Sequence, residues 1–297
     1  MASRGSVATD VNNRGVVVGW YWGGRGFVWS GGRTRYLRTL GGGVSSPAAV
    51  NDRGQVVGSS QAKSGHMRAV VWSGSGIRDL GVDGTATAIN DRGTIVGMAF
   101  PATGSPYAWR WSGGRLAPLT TYGVHRSTFT YVYDINDAGQ IVGVDDAGGF
   151  LLSGTRLTRL RGLSGRPTSL RSINDHGDIA GGEASRGGQP YQALLWSHGR
   201  VRALGALAAP APGAHDPTGI ANGINNAGRV VGESWWMGTA VVPLPFLWDR
   251  GVMTRLPTPD VRPTGSARAV NDHGLVVGWV QGTEESFAAA WIPYHRT

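Results

Sequence analysis

Five tryptophans stand apart from the other aromatic residues of this chain: Trp20, Trp22, Trp235, Trp236 and Trp279. Each falls just after a glycine that recurs along the sequence. An aromatic wall of this kind suits a flat, apolar or cationic ligand. Carboxylates hold corresponding positions elsewhere: Asp145 and Asp146, Glu183, and Glu233. A carboxyl group beside an apolar wall has its pKa raised and can serve as a general acid or base. Glu233, Asp145 and Glu183 are therefore the candidate catalytic residues. Tyr133, Arg171 and Arg268 share another position, three residues before a recurring Asn. Either guanidinium could hold a carboxylate or stabilise a developing enolate. The plainer readings are that the tryptophans cap a core or cover a seam, and that each charge is a solvated loop residue. The case for chemistry rests on the group.

These residues are brought together only if a repeat closes on itself. The phrase Asn, Asp or Asn, any residue, Gly, three residues, Gly begins at Asn12, Asn51, Asn90, Asn136, Asn174, Asn225 and Asn271. The period of 39, 39, 46, 38, 51 and 46 residues is that of four strands per propeller blade. In the third copy, Thr85–Asn90 reads as a strand and Asn90-Asp91-Arg92-Gly93 as a hairpin turn. Asn and Asp offer oxygens to nearby amides there, and Gly accepts positive φ. Thr94–Gly97 returns, Tyr107–Trp111 is a third strand, and Arg115–Leu119 a fourth. Trp29, Trp72, Trp111, Trp196, Trp248 and Trp291 end the third strand in six copies, with Leu152 in the other, and read as packing residues. The expected fold is all-β: one domain over residues 1–297, a seven-bladed propeller with four antiparallel strands per blade. The last copy has little room for a fourth strand: either it has three, or the N-terminal residues supply a poor fourth.

The Asn-Asp-x-Gly and Val-Gly phrases resemble the HAF-type repeat proteins over almost the whole chain, and the strand order looks kelch-like. The His-Ala-Phe tripeptide that gives the family its name is replaced by Arg25-Gly26-Phe27, Arg68-Ala69-Val70, Gln192-Ala193-Leu194 and Leu244-Pro245-Phe246. The resemblance implies a propeller and carries no agreed activity. Members are often predicted to be extracellular.

Composition narrows the function classes. The chain has 297 residues, no cysteine and a net charge of +9, with Lys63 the only lysine. Arginines near the end of each repeat form a ring rather than a patch, which argues against nucleic acid as a partner. No run of about 18 apolar residues suggests a membrane span. Phosphate loops, calcium loops and paired metal-binding histidines are missing from the sequence, so no cofactor or metal is expected. With Met1 as the native start a cytoplasmic protein is expected; with a leader removed, a secreted one. In a propeller the variable loops lie opposite the repeated turns, which puts the expected pocket at the far mouth of the channel. His125, Arg126 and Phe129, with His215 and Asp216, lie in long connections that could cover that mouth. These residues point to a cofactor-independent cyclase, isomerase or lyase for an aromatic or polyketide-like substrate. The preference for Arg over Lys suggests a GC-rich coding sequence, an association with specialised metabolism. The alternative is a non-catalytic ligand- or carbohydrate-binding propeller.

Overall fold

The computed structural model describes residues 5–127, 129–183, 192–207, 215–237, 242–259 and 263–292; the side chains of 215–217, 236 and 237 lie outside that description. The regular elements of the described residues are antiparallel β-strands, apart from one 3-10 turn at Leu119–Tyr122. Each copy of the repeat builds one meander from inner to outer strand. Copies one, four, five and six give four-stranded sheets, and copy seven gives three strands, Gly265–Val270, Val276–Gln281 and Ser286–Trp291. Copies two and three share one seven-stranded sheet because Gly76–Ile89 runs unbroken between them. Its first part pairs with Met67–Ser73 and its last part with Ile95–Ala99.

The repeated phrase makes the turn and also joins the copies. In copy three, Gly93 takes φ +81 and closes the hairpin. The Asn90 Oδ1 atom accepts the Thr94 amide at 2.9 Å, while Nδ2 donates 3.0 Å to the Asn136 carbonyl of the next copy. The same donation runs from Asn12 to Asn51, Asn51 to Asn90, Asn136 to Asn174, Asn174 to Asn225, Asn225 to Asn271, and Asn271 back to Asn12. A second closed circuit lies beside it. The amide of each second-position residue donates to the side chain of its counterpart in the next copy, from Asn13 to Asp52 and round to Asp272 and Asn13. The seven copies therefore form a ring.

Apolar side chains fill the space between adjacent sheets. Met98 and Phe150 pack between copies three and four, and Leu195 and Phe246 between five and six. Between copies seven and one the cluster is small, built on Ala8, Val11, Val17 and Val277. Polar contacts there match those elsewhere: Ser6 Oγ accepts the Ala288 amide at 3.0 Å, as Ser45 Oγ accepts that of Gly26 at 2.9 Å.

The recurring tryptophans pack between copies as expected from their spacing. Trp72 and Trp196 donate from Nε1 to the carbonyls of Arg38 and Arg161 in the preceding copy, and Trp291 to that of Pro257. Trp29 is 38% exposed. Its preceding copy is the seventh, which among the described residues has no outer strand to offer such a carbonyl.

Candidate functional site

A β-bulge on every inner strand builds the channel wall. In all seven copies the pairing of inner and second strands skips one residue, three before the motif Asn. The skipped residues are Thr9, Ala48, Thr87, Tyr133, Arg171, Asn222 and Arg268. A bulge leaves one residue out of the ladder and re-aims its side chain. All seven line one cavity of about 240 Å3 inside the channel. The second motif glycine accommodates the bulged backbone: a Cβ at Gly97 would collide with the Thr85 carbonyl oxygen and the Trp109 ring.

This ring of side chains has two unlike halves. Copies one to three contribute Thr9, Ala48 and Thr87. The hydroxyls of Thr9 and Thr87 donate to the carbonyls of Val18 and Val96 at 3.3 Å. Copies four to seven contribute Tyr133, Arg171, Asn222 and Arg268. The Arg171 guanidinium lies 4.5 Å over the Tyr133 ring, and Tyr133 lies 4.6 Å from Tyr131. Arg171 Nε is buried without a hydrogen-bond partner. Asn222 is held by its Nδ2 atom, which donates 3.0 Å to the Ala267 carbonyl.

Asp10 and Asp134 stand next to the bulged residue in copies one and four and also line the cavity. Each clamps two copies. Asp10 accepts the amides of Val11 and Val50, both at 2.8 Å. Asp134 accepts the amides of Ile135 and Ile173 and the Ser172 hydroxyl. Burial pushes the Asp10 carboxyl up to about 7 and that of Asp134 to about 6, against the lowering effect of these hydrogen bonds. At the turn end of the channel, Asn13, Asp52, Asp91, Asp137, Asp175, Asn226 and Asp272 ring a shallower cavity of about 180 Å3. Burial, reinforced by the charges of Asp52, Asp137 and Asp175, holds the Asp91 carboxyl above its usual range. No group of three or more His, Asp or Glu among the described residues is placed to hold a metal ion.

The structure brings part of the group expected from the sequence into the channel cavity. Tyr133, Arg171 and Arg268 meet in the channel cavity. Trp20, Trp22, Trp235 and Trp279 are not among the residues that line it. Trp20 and Trp22 touch edge to face at 5.5 Å, and Trp22 lies over Gly5, beside the Ser286 carbonyl at the junction of copies one and seven. That position fits the cover of a seam. Trp279 stands across from Ser266 and Ala288 in copy seven, and Trp235 across from Thr218 and Pro243 in copy six. The Trp236 side chain lies outside the described residues, as do those of His215 and Asp216.

The three candidate carboxylates come from copies four, five and six. Asp145 receives both terminal nitrogens of Arg159 and the amides of His125 and Ala147. Burial raises its carboxyl, but these donors outweigh burial and hold it below the usual range, which suits a structural anion and not a proton donor near neutrality. Glu183 is buried and accepts the Ser164 amide and hydroxyl, fixing the loop that leads into its own copy. Glu233 sits mid-strand between Ile220 and Pro245. His125, Arg126 and Phe129 lie on a connection whose His125 amide donates to Asp145 and whose Leu119 and Val124 are buried, while Phe129 is exposed. Sequence reasoning missed Asn222, and it gave no role to Asp10 and Asp134. Their fixed offsets from the motif Asn were the available signal.

No protein-family model and no curated protein sequence matches the chain. Solved structures do. The β-propeller domain of the trilobed protease from Pyrococcus furiosus aligns with 98% of this chain and 94% of its own, at 9% identity and a TM-score of 0.63. A β-propeller domain from Myceliophteria thermophila aligns over 99% and 98%, at 8% identity and a TM-score of 0.57. The chain is a β-propeller. It spans 64% of TolB from Acinetobacter baumannii, at 14% identity and a TM-score of 0.52. At these identities the likeness is one of fold alone. Among the described residues no helix is long and apolar enough to cross a membrane.

Proposed function

We propose that this propeller has seven blades, the seven-stranded sheet counting as two that share Gly76–Ile89, and that its central channel is a small-molecule site. The HAF-like reading of the repeat agrees with this count. The observation that carries the site is the non-repeated half-ring of Tyr133, Arg171, Asn222 and Arg268, aimed inward by bulges where the scaffold tolerates Ala or Thr. Beside it stand two carboxyl groups, Asp10 and Asp134, able to hold or release a proton near neutral pH. Anion-binding groups next to such acids support cofactor-independent proton transfer, the chemistry shared by isomerases, lyases and cyclases. The cavity, about 240 Å3, suits a compact substrate better than a polyketide-like one.

The test is incubation in heavy water with a panel of small carboxylic acids and their amides, followed by NMR. Catalysis shows as deuterium entering a carbon position, and Asp134→Asn should abolish that exchange while ligand still binds. A non-catalytic binding propeller is favoured by one observation: both oxygens of Asp10 and of Asp134 already accept backbone amides. Ligand binding without any exchange across the panel would decide for it. A fragment screen in crystals that leaves the channel empty would defeat both.

A further inference from the structure

The geometry points to a short dicarboxylate of four or five carbons as the channel ligand, one carboxylate at Arg171 and the other at Arg268. This rests on the reading of the channel as a small-molecule site. Four observations lead to it.

The cationic groups are unneutralised. Arg68, Arg159 and Arg229 each pair with an aspartate, whereas among the described residues neither Arg171 nor Arg268 has a carboxylate within 4.0 Å. Arg171 Nε is buried and unpaired, and a buried donor without a partner costs about 1–3 kcal/mol, more when charged.

The two guanidinium groups are separate attachment points. Arg171 comes from copy five and Arg268 from copy seven, with Asn222 of copy six between them. A guanidinium binds a carboxylate through two parallel hydrogen bonds, and its planar fork must be oriented to do so. Stacking on Tyr133 orients that of Arg171, and the bond to the Ala267 carbonyl fixes the spacer.

At the bulged positions the opposite half offers few free donors, and its one ionisable group, Asp10, has both oxygens engaged by backbone amides. Ala48 has no polar side-chain atom, and the Thr9 and Thr87 hydroxyl protons are committed to backbone carbonyls.

The cavity limits size. A volume of about 240 Å3 lies below the roughly 300–1,000 Å3 of pockets that enclose drug-sized ligands. Succinate and glutarate are compact enough for such a space.

Calorimetric titration of the full chain at low salt tests this with four probes: succinate, glutarate, succinamide and inorganic phosphate. Succinate or glutarate should bind, and succinamide, the uncharged isostere, should bind at least tenfold more weakly. Arg268→Gln, whose side chain is exposed in the channel, should fold with an unchanged circular dichroism spectrum and weaken succinate at least tenfold; Arg171→Gln should do the same. Succinamide or phosphate binding as tightly as succinate would overturn the dicarboxylate class. So would unchanged affinity in both arginine variants. Failure of all dicarboxylates while neutral fragments occupy the channel in crystals would remove this inference and leave the small-molecule reading standing. A channel empty of every fragment would remove both.

Discussion

At the scale of single residues, the first two positions of the repeated phrase differ in what chemistry they demand. The motif Asn must accept through Oδ1 and donate through Nδ2, so Asp, which only accepts, cannot replace it. The second position needs only an acceptor, and both Asp and Asn occur there. Two adjacent substitutions should therefore behave oppositely. Asn90→Asp should cost about 2–4 kcal/mol in urea unfolding, because it removes a buried donor and buries a charge. Asp91→Asn should change stability by less than about 0.5 kcal/mol or raise it, since Asn13 and Asn226 already fill that position and a like charge is relieved. The channel acids give a pH prediction. Asp10 and Asp134 keep their protons in the folded state up to about pH 7 and 6, whereas the unfolded chain loses them near 3.8. Over that window the folded state binds more protons, so their contribution to stability falls as pH rises from about 4 to 7. Thermal unfolding between pH 5 and 8 should show this slope, and the Asp10→Asn/Asp134→Asn double variant should flatten it whatever its absolute stability.

At the scale of elements, the inner-strand bulge joins scaffold to site. It explains the second glycine of each phrase, because the bulged strand brings a carbonyl oxygen against that position. Gly97→Ala should destabilise by about 2 kcal/mol or more, read in the same unfolding assay. The strands and turns were legible in the sequence because apolar alternation and Asn/Gly turn chemistry are local properties. The bulge was not, since a one-residue slip in pairing depends on the partner strand. For the same reason Tyr133, Arg171 and Arg268 were found by their common offset, while Asn222 passed as an ordinary residue. The catalytic grouping of Asp145, Glu183 and Glu233 rested on their place after strand two. Their partners Arg159 and Ser164 lie 14 and 19 residues from Asp145 and Glu183, and only folding decides that they meet.

At the scale of the whole molecule, closure is the weak point of the ring. The cluster between copies seven and one has few buried residues, and copy seven has three strands among those described. Trp22 lies across the junction. Hydrogen exchange should be fastest, among the inner strands, in Ser6–Val11 and Gly265–Val270. Trp22→Ala should lose about 1–2 kcal/mol and speed exchange there selectively, without altering ligand affinity in the channel. Weakened channel binding in that variant would return the tryptophans to the site.

The sequence by itself determined the repeat, its turns and the near-identity of its copies, because each phrase satisfies its own hairpin within about four residues. It also determined which positions escape the repeat. Tertiary structure alone decided which of those positions matter together. Ring closure set four non-repeated side chains around one axis and laid Trp22 across the seam between copies seven and one. Hydrogen bonds between distant segments tied two candidate acids, Asp145 and Glu183, into the scaffold. Burial beside the channel raised the carboxyl groups of Asp10 and Asp134, to which the sequence gave no role, close to neutral pH, an effect of surroundings that no local spacing encodes.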